Sequence, residues 1–237
     1  MSATHQPKAS PAYPLDNIIW QALSTRQQDV ARIEGSARKF HDDIGPLAGI
    51  SGDRAAGLAA LEKLAAGGNI VALFTQAEER YDGWNIVAQA PLVQMVRDKA
   101  LLLAPPLLRD AEVSTLGDAD SAAMQELAGL VRPGPFGPRT HELGAYYGIR
   151  QKGALVAMAG ERMKVPGYTE VSAVCTHSDH LGKGYAAALM TRVIAGIEAR
   201  GETAFLHSRA DNDRAVALYE RLGFRARWSG FFVAMTR

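Results

Sequence analysis

The feature that most constrains this chain is a change of residue period at Gly182-Lys183-Gly184. Before it, Tyr168 to Thr176 is rich in β-branched residues and reads as a strand; after it, Leu189, Val193 and Ile197 share one face of a helix running from Gly184 to about Arg200. The intervening Cys175-Thr-His-Ser-Asp-His-Leu-Gly-Lys-Gly-Tyr-Ala-Ala187 must turn the backbone tightly. A glycine turn opening a helix can aim several N–H groups at one anion, where the helix dipole also favours negative charge. Tight turns without ligands use the same residues, so the two readings stand side by side here.

Two nucleotide loops fail on spacing. A Walker A loop needs Ser or Thr after Gly-Lys, whereas Gly184 and Tyr185 follow Lys183. A dinucleotide fold needs the turn after the first of several parallel strands. Here Tyr146 to Arg150 and Ala154 to Met163 form a hairpin about Lys152-Gly153, so antiparallel strands precede the loop.

The rest of the second half fits one mixed sheet. Ala111 to Thr115 is a strand, Asp118 caps a helix through Leu127 and Leu130, and Arg132 to Arg139 is an irregular loop of Pro and Gly. After the Gly184 helix come a strand Ala204 to His207, a helix Asp213 to Leu222 stopped by Gly223, and two closing strands from Phe224. The first half holds a helix from Asp16 with Ile19, Leu23 and Val30 on one face, and a second from Asp53 to Gly67-Gly68. A strand at Asn69 to Thr75 and one or two more within Trp84 to Val96 follow. Pro105-Pro106 marks the boundary. The expected organisation is a loose tail over 1–14, a small α/β domain over 15–105 and a main domain over 106–237. The fold class is α/β, a mixed and mostly antiparallel sheet with helices on both faces, preceded by a smaller α/β domain.

Composition excludes several partners. Across 237 residues, 26 Lys+Arg balance 25 Asp+Glu, so no global field points to nucleic acid or an anionic membrane. No apolar run reaches the ~18 residues a membrane span needs, and the first residues lack the apolar core of a secretory signal. One cysteine excludes an internal disulfide and a CxxC metal site and fits a reducing compartment, the cytoplasm by default. His177 and His180 lack metal-ligand spacing, so no metal is expected.

The decisive run is Arg209-Ala-Asp-Asn-Asp-Arg-Ala-Val-Ala-Leu-Tyr-Glu-Arg-Leu-Gly-Phe224. With Gly-Lys-Gly-Tyr-Ala ahead of it, this half of the chain, from about Leu107, resembles the GCN5-related N-acetyltransferase (GNAT) superfamily. Tyr168-Thr-Glu-Val-Ser-Ala-Val-Cys-Thr-His177 resembles its FR47-like branch. The resemblance leaves the first half outside, apart from a half-copy of the same fold. It implies acetyl-CoA as co-substrate, held where two neighbouring strands splay. Val174, Cys175 and Thr176 would pair with the pantetheine amides, and Gly182, Lys183, Gly184, Tyr185, Ala186 and Ala187 would form the pyrophosphate loop. Asn212 would bond the pantetheine arm and Tyr219 would point at the sulfur. Leu181 stands where the family usually carries Arg or Gln, so a side-chain contact to phosphate is missing there.

The chemistry this implies is direct attack of an amine on the thioester. Tyr219 would protonate the leaving thiolate, or else pack in the stripe of Val216 and Gly223. Glu170 is the best-placed base, because strand alternation sets Glu170, Ser172 and Val174 on one face; the alternative is an ion pair with a neighbouring Arg. Cys175, alternating with Ala173 and Val171, reads as a buried hydrophobe. In the 132–139 loop, Phe136 offers an apolar contact and Arg139 could clamp an acceptor carboxylate, or sit in solvent on a surface turn. A small amine or amino acid fits the balanced charge better than a histone-like protein. The oligomeric state, a homodimer included, stays open. The rival class is a non-catalytic CoA-binding or sensing module.

Overall fold

The computed structural model describes residues 13–104, 106, 108 and 110–237, so the tail expected over 1–14 lies outside it but for its last two residues, as does Pro105 at the expected boundary. In chain order, α1 is Ile18–Ser24, followed by β1 (Ala31–Glu34), β2 (Ala37–Phe40), β3 (Ala48–Ile50), α2 (Arg54–Leu64), β4 (Val71–Thr75) and β5 (Asn85–Arg97). Then come β6 (Val113–Leu116), α3 (Ser121–Val131), β7 (Tyr146–Gln151), β8 (Ala154–Val165), β9 (Tyr168–Thr176), α4 (Tyr185–Ala199), β10 (Thr203–Arg209), α5 (Asp213–Arg221) and β11 (Phe224–Thr236).

The mixed α/β class and the helices on both faces are as the sequence implies. Asp53 caps α2 by accepting the Ala56 N–H at 2.9 Å. The β7–β8 hairpin turns at Lys152 and Gly153, both at positive φ, as a two-residue connection requires. Other expectations need correcting. α1 ends at Ser24, so Val30 is off it, and β1, β2 and β3 form a small antiparallel sheet whose strands of three or four residues are too short to show alternation. Asp118 does not cap α3; it lies in a short 3-10 turn and holds His141 Nε2 at 3.0 Å, while Asp120 receives the Gly117 N–H. The two closing strands are one strand, β11, interrupted by a bulge between Ala226 and Trp228 that leaves the chain direction unchanged.

The main sheet has eight strands in the order β4-β11-β5-β10-β9-β8-β7-β6. It crosses the boundary expected near residue 105. β5 lies between β10 and β11 and pairs antiparallel with both, and β4 closes the outer edge against β11. The first half therefore supplies two strands of the sheet that carries the second half, and the small β1–β3 sheet is what remains outside it. The physical reason is the backbone of β10 and β11: without β5, both would present an open edge.

Two faces result. α4 and α5 cover one, where Leu189, Val193, Ile197 and Tyr219 pack on Val171, Leu206 and Met95. α1 covers the other, with Ile18, Ile19 and Leu23 packed on Met163, Phe205 and Ala234, and α3 continues that layer over Ala173 and Cys175. Because β5 is central, a fragment starting at residue 106 is expected to show no cooperative thermal transition by circular dichroism, whereas residues 13–237 melt as one unit. A cooperative melt of the fragment would restore the boundary.

Candidate active site

The site grows from the parallel pair β9 and β10. They hydrogen-bond only at their starts, through Thr203↔Tyr168, Ala204↔Thr169 and Phe205↔Glu170, and beyond that pair the strands part. On the far side of the fork β9 carries a bulge: Cys175 faces Met158 and Ser172 faces Gly160, so Ala173 and Val174 have no partner on β8. Ala173 sits at φ +53°, a left-handed backbone unusual for a residue with a β-carbon.

Where β9 ends, a short turn, Ser178–His180, leads into the glycine loop. Gly182 and Gly184 have φ of +80° and +79°, and a β-carbon on either would meet nothing within 4 Å. Gly184 is the N-cap of α4 and no side chain caps that helix. Among the described residues no hydrogen bond uses the N–H groups of Gly182 through Ala187. Lys183 Nζ lies 3.3 Å from His180 Nδ1. Leu181 is about half exposed beside it.

α5 borders the fork from the helical face. Asn212 is its N-cap, accepting the Ala215 N–H at 3.2 Å, which commits its carbonyl oxygen but not its amide N–H groups. Tyr219 is the one buried residue of α5, its ring edge-on to Phe224 at 6.4 Å, and burial pushes its phenol up to about 12, so it keeps its proton. Cys175 is buried, its thiol likewise pushed up to about 12, in keeping with a packing residue.

This geometry has relatives. The family model described as FR47-like protein matches residues 146–233. A crystal structure from Novosphingobium aromaticivorans, assigned to the GNAT family of acetyltransferases, is 36% identical over 95% of this chain and 99% of that one, with a TM-score of 0.84. The chain is a GNAT acetyltransferase of the FR47-like branch. A GCN5-related N-acetyltransferase from Kribbella flavida shares the fold at 23% identity, covering 92% of this chain and 95% of that one, with a TM-score of 0.57. So does a GCN5-related N-acetyltransferase-like protein from Streptococcus suis at 16% identity, covering 93% of each chain, with a TM-score of 0.62. A search of curated proteins found no match.

Within this GNAT protein, two expected roles do not hold. Glu170 is fully buried, and its carboxylate receives Arg162 Nε and Nη2, both at 2.8 Å, the Met163 N–H at 3.2 Å and His207 Nδ1 at 2.8 Å. Burial alone would raise its pKa, but the Arg162 charge and hydrogen bonds, with His207, hold it down at about 2. A carboxylate so saturated is a poor proton acceptor, and the ion-pair reading is the right one. The alternation that linked it to Val174 also breaks at the bulge, which turns Val174 towards the α4 layer while Ala173 and Cys175 face α3.

Arg139 does not face an acceptor either. Its Nε and Nη2 engage Glu142 at 2.8 and 2.7 Å and its Nη1 reaches Asp43 at 3.0 Å, so the whole fork is occupied. The same loop is stitched to the first half by Arg139 N–H to Asp43 O at 3.0 Å and Thr140 Oγ1 to Ile44 O at 2.5 Å. Phe136 packs edge-on to Tyr146 at 5.9 Å. The 132–139 loop is thus a clasp.

His207 is the residue sequence reasoning passed over. Its side chain is 2% exposed, with Nδ1 on Glu170 and Nε2 3.0 Å from Gln94 Nε2. Nothing in the sequence marks a lone histidine in a strand; only its alternation with Phe205, on the face opposite Leu206, hints at which side it takes.

The buried ion pair gives a stability test. Glu170→Gln keeps the shape but leaves Arg162 buried without its counter-charge, and should cost ~3–5 kcal/mol in urea melts at pH 7. Because the folded pKa lies below the usual 4.5, Glu170 contributes its full stability above pH 4.5 and loses it progressively towards pH 2. The wild type should lose stability across that window more steeply than the variant; parallel curves would mean that Glu170 is not ionised in the fold.

Proposed function

We propose that this GNAT protein transfers the acetyl group of acetyl-CoA to the primary amine of a small molecule by direct attack. The observation that carries the reading is the row of N–H groups from Gly182 to Ala187 without a hydrogen-bond partner among the described residues, following a strand that forks from β10, with Tyr219 packed in the same core as Val171 and Leu206 of those two strands. Those N–H groups, with Lys183 and the N-terminus of α4, suit a pyrophosphate. Val174, Cys175 and Thr176 border the fork, where their backbone would pair with the pantetheine amides, and the free amide of Asn212 would take the same arm. The bulge at Ala173 and Val174 leaves a backbone donor for the thioester oxygen.

Tyr219 acts as the proton donor to the sulfur. Its phenol is protonated at neutral pH, as a proton donor to the departing thiolate must be. The balanced charge of the chain supports a small acceptor, and the buried, single cysteine supports a cytoplasmic setting.

CoA at a hundredfold excess over Kd should stabilise the wild type by ~2.7 kcal/mol. Gly184→Val places a branched side chain where the N–H groups converge and forces it into a left-handed backbone, so it should lose ~1–2 kcal/mol of stability and the whole CoA-dependent shift. Tyr219→Phe should lower kcat for thiol release ~10²-fold while leaving the shift intact. A wild-type melt indifferent to millimolar CoA would sink the reading; equal kcat in Tyr219→Phe would leave the phenol as packing.

A further inference from the structure

Between Thr176 and Ala187 the side chains that carry charge near neutral pH, or can gain it, are His177, Asp179, His180 and Lys183. They sort into two pairs. His177 faces Asp179: its Nδ1 accepts the Asp179 N–H at 3.3 Å, which caps the short turn Ser178–His180, and Asp179 Oδ2 lies 3.8 Å away. His180 faces Lys183, whose Nζ is 3.3 Å from Nδ1. An ammonium can only donate, so Nδ1 accepts, and the His180 ring is neutral with its one proton on Nε2.

The two lone pairs are held differently. On His177 the donor is a backbone N–H of the turn, and a proton on that nitrogen would break the cap. On His180 the donor is the end of a flexible side chain, which can leave for another acceptor.

His180 also stands at the start of α4. Its ring stacks on that of Tyr185, the first residue of the helix, with centroids 6.3 Å apart and planes at 22°. Tyr185 is buried and receives Gln151 Nε2 on its hydroxyl at 3.1 Å, so it is a fixed platform. Lys183 Nζ lies 6.0 Å from the same ring. An imidazole and an ammonium are thus gathered at the helix end whose N–H groups, among the described residues, have no partner. Leu181, between His180 and Gly182, adds no charge. Asp179 is the one anion of the turn; its side chain is 79% exposed and its near neighbour is His177, whose ring is edge-on to His180 at 6.1 Å.

A diphosphate diester brings two negative charges, and the turn and loop meet it with one full cation, Lys183. We infer that His180 supplies the second: binding of the CoA diphosphate puts a proton on His180 Nδ1, so that the loop takes up a proton with its ligand and holds it more tightly at pH 6 than at pH 8. The proton comes from solvent, and Lys183 Nζ exchanges that lone pair for a phosphate oxygen. Two cations at contact distance repel, and the two charges of the diphosphate remove that cost.

This inference rests on the CoA reading of the loop, and the test separates the two. Dephospho-CoA is the probe, because its diphosphate stays doubly charged across pH 6–8 and any pH dependence then belongs to the protein. By titration calorimetry, wild-type affinity should fall ~10-fold from pH 6 to pH 8, the effect of one charged hydrogen bond. Proton uptake at pH 7 should appear as a binding enthalpy that varies with the ionisation enthalpy of the buffer. His180→Gln keeps an acceptor for Lys183 but cannot take a proton, so it should bind at the wild-type pH 8 level throughout, with no uptake. His180→Arg carries a fixed charge and should bind at the wild-type pH 6 level throughout. His177→Gln should keep the wild-type pH dependence. A wild-type affinity indifferent to pH, a dependence that survives in His180→Gln or vanishes in His177→Gln, or a His180→Arg variant no tighter than wild type at pH 8 would each overturn the role of His180. No binding of CoA or dephospho-CoA at millimolar concentration by the wild type would instead overturn the CoA site itself.

Discussion

A carboxylate with no access to water must find its solvation inside the protein, and Glu170 finds it from both neighbouring strands. Arg162 comes from β8 and His207 from β10. The need does not stop there, because a buried imidazole and a buried amide each leave atoms to be satisfied. His207 turns to Gln94 on β5, Gln94 to Arg227 on β11, and Arg227 to Asp16 just before α1. Five adjacent strands each contribute one polar side chain on the same face, and a shift of any strand by one residue would move its member to the other face. The ladder therefore ties register to charge: the sheet order that places β5 beside β10 is the order that completes the hydrogen bonds of His207, and through it holds the partner of Glu170.

That dependence explains why the two halves do not separate. β5 supplies Gln94 to the ladder and closes the edges of β10 and β11, and the 132–139 loop is clasped to Asp43 and Ile44 by Arg139 and Thr140. The first half also provides α1 and β3, which wall a cleft at His207. One face of the sheet, under α4 and α5, presents the glycine loop and Tyr219; the other, under α1, presents His207.

Much of this was legible beforehand for local reasons. The Gly182-Lys183-Gly184 turn, the hairpin at Lys152-Gly153, the Asp53 cap and the helical stripe of Leu189, Val193 and Ile197 each follow from a backbone or periodicity constraint carried by neighbouring residues. The roles of Glu170 and Arg139 were not, because a carboxylate or guanidinium in the sequence looks the same whether its partner is a substrate or Arg162 or Asp43. The face of Val174 was misread because one extra residue at Ala173 reverses the alternation, and no local signal distinguishes a bulged strand from a regular one.

The sequence by itself determined the element types of the second half, the anion-seeking turn at the start of α4 and the resemblance carried by the Arg209 to Phe224 run, all of which depend on contacts within a turn or two. Tertiary structure decided which strands became neighbours, and through that decided everything that depends on pairing across distance. Glu170 and His207 lie 37 residues apart, and His207 and Gln94 lie 113 apart. Their protonation is set by burial and by partners brought from other strands. No residue pattern encodes either until the sheet has closed.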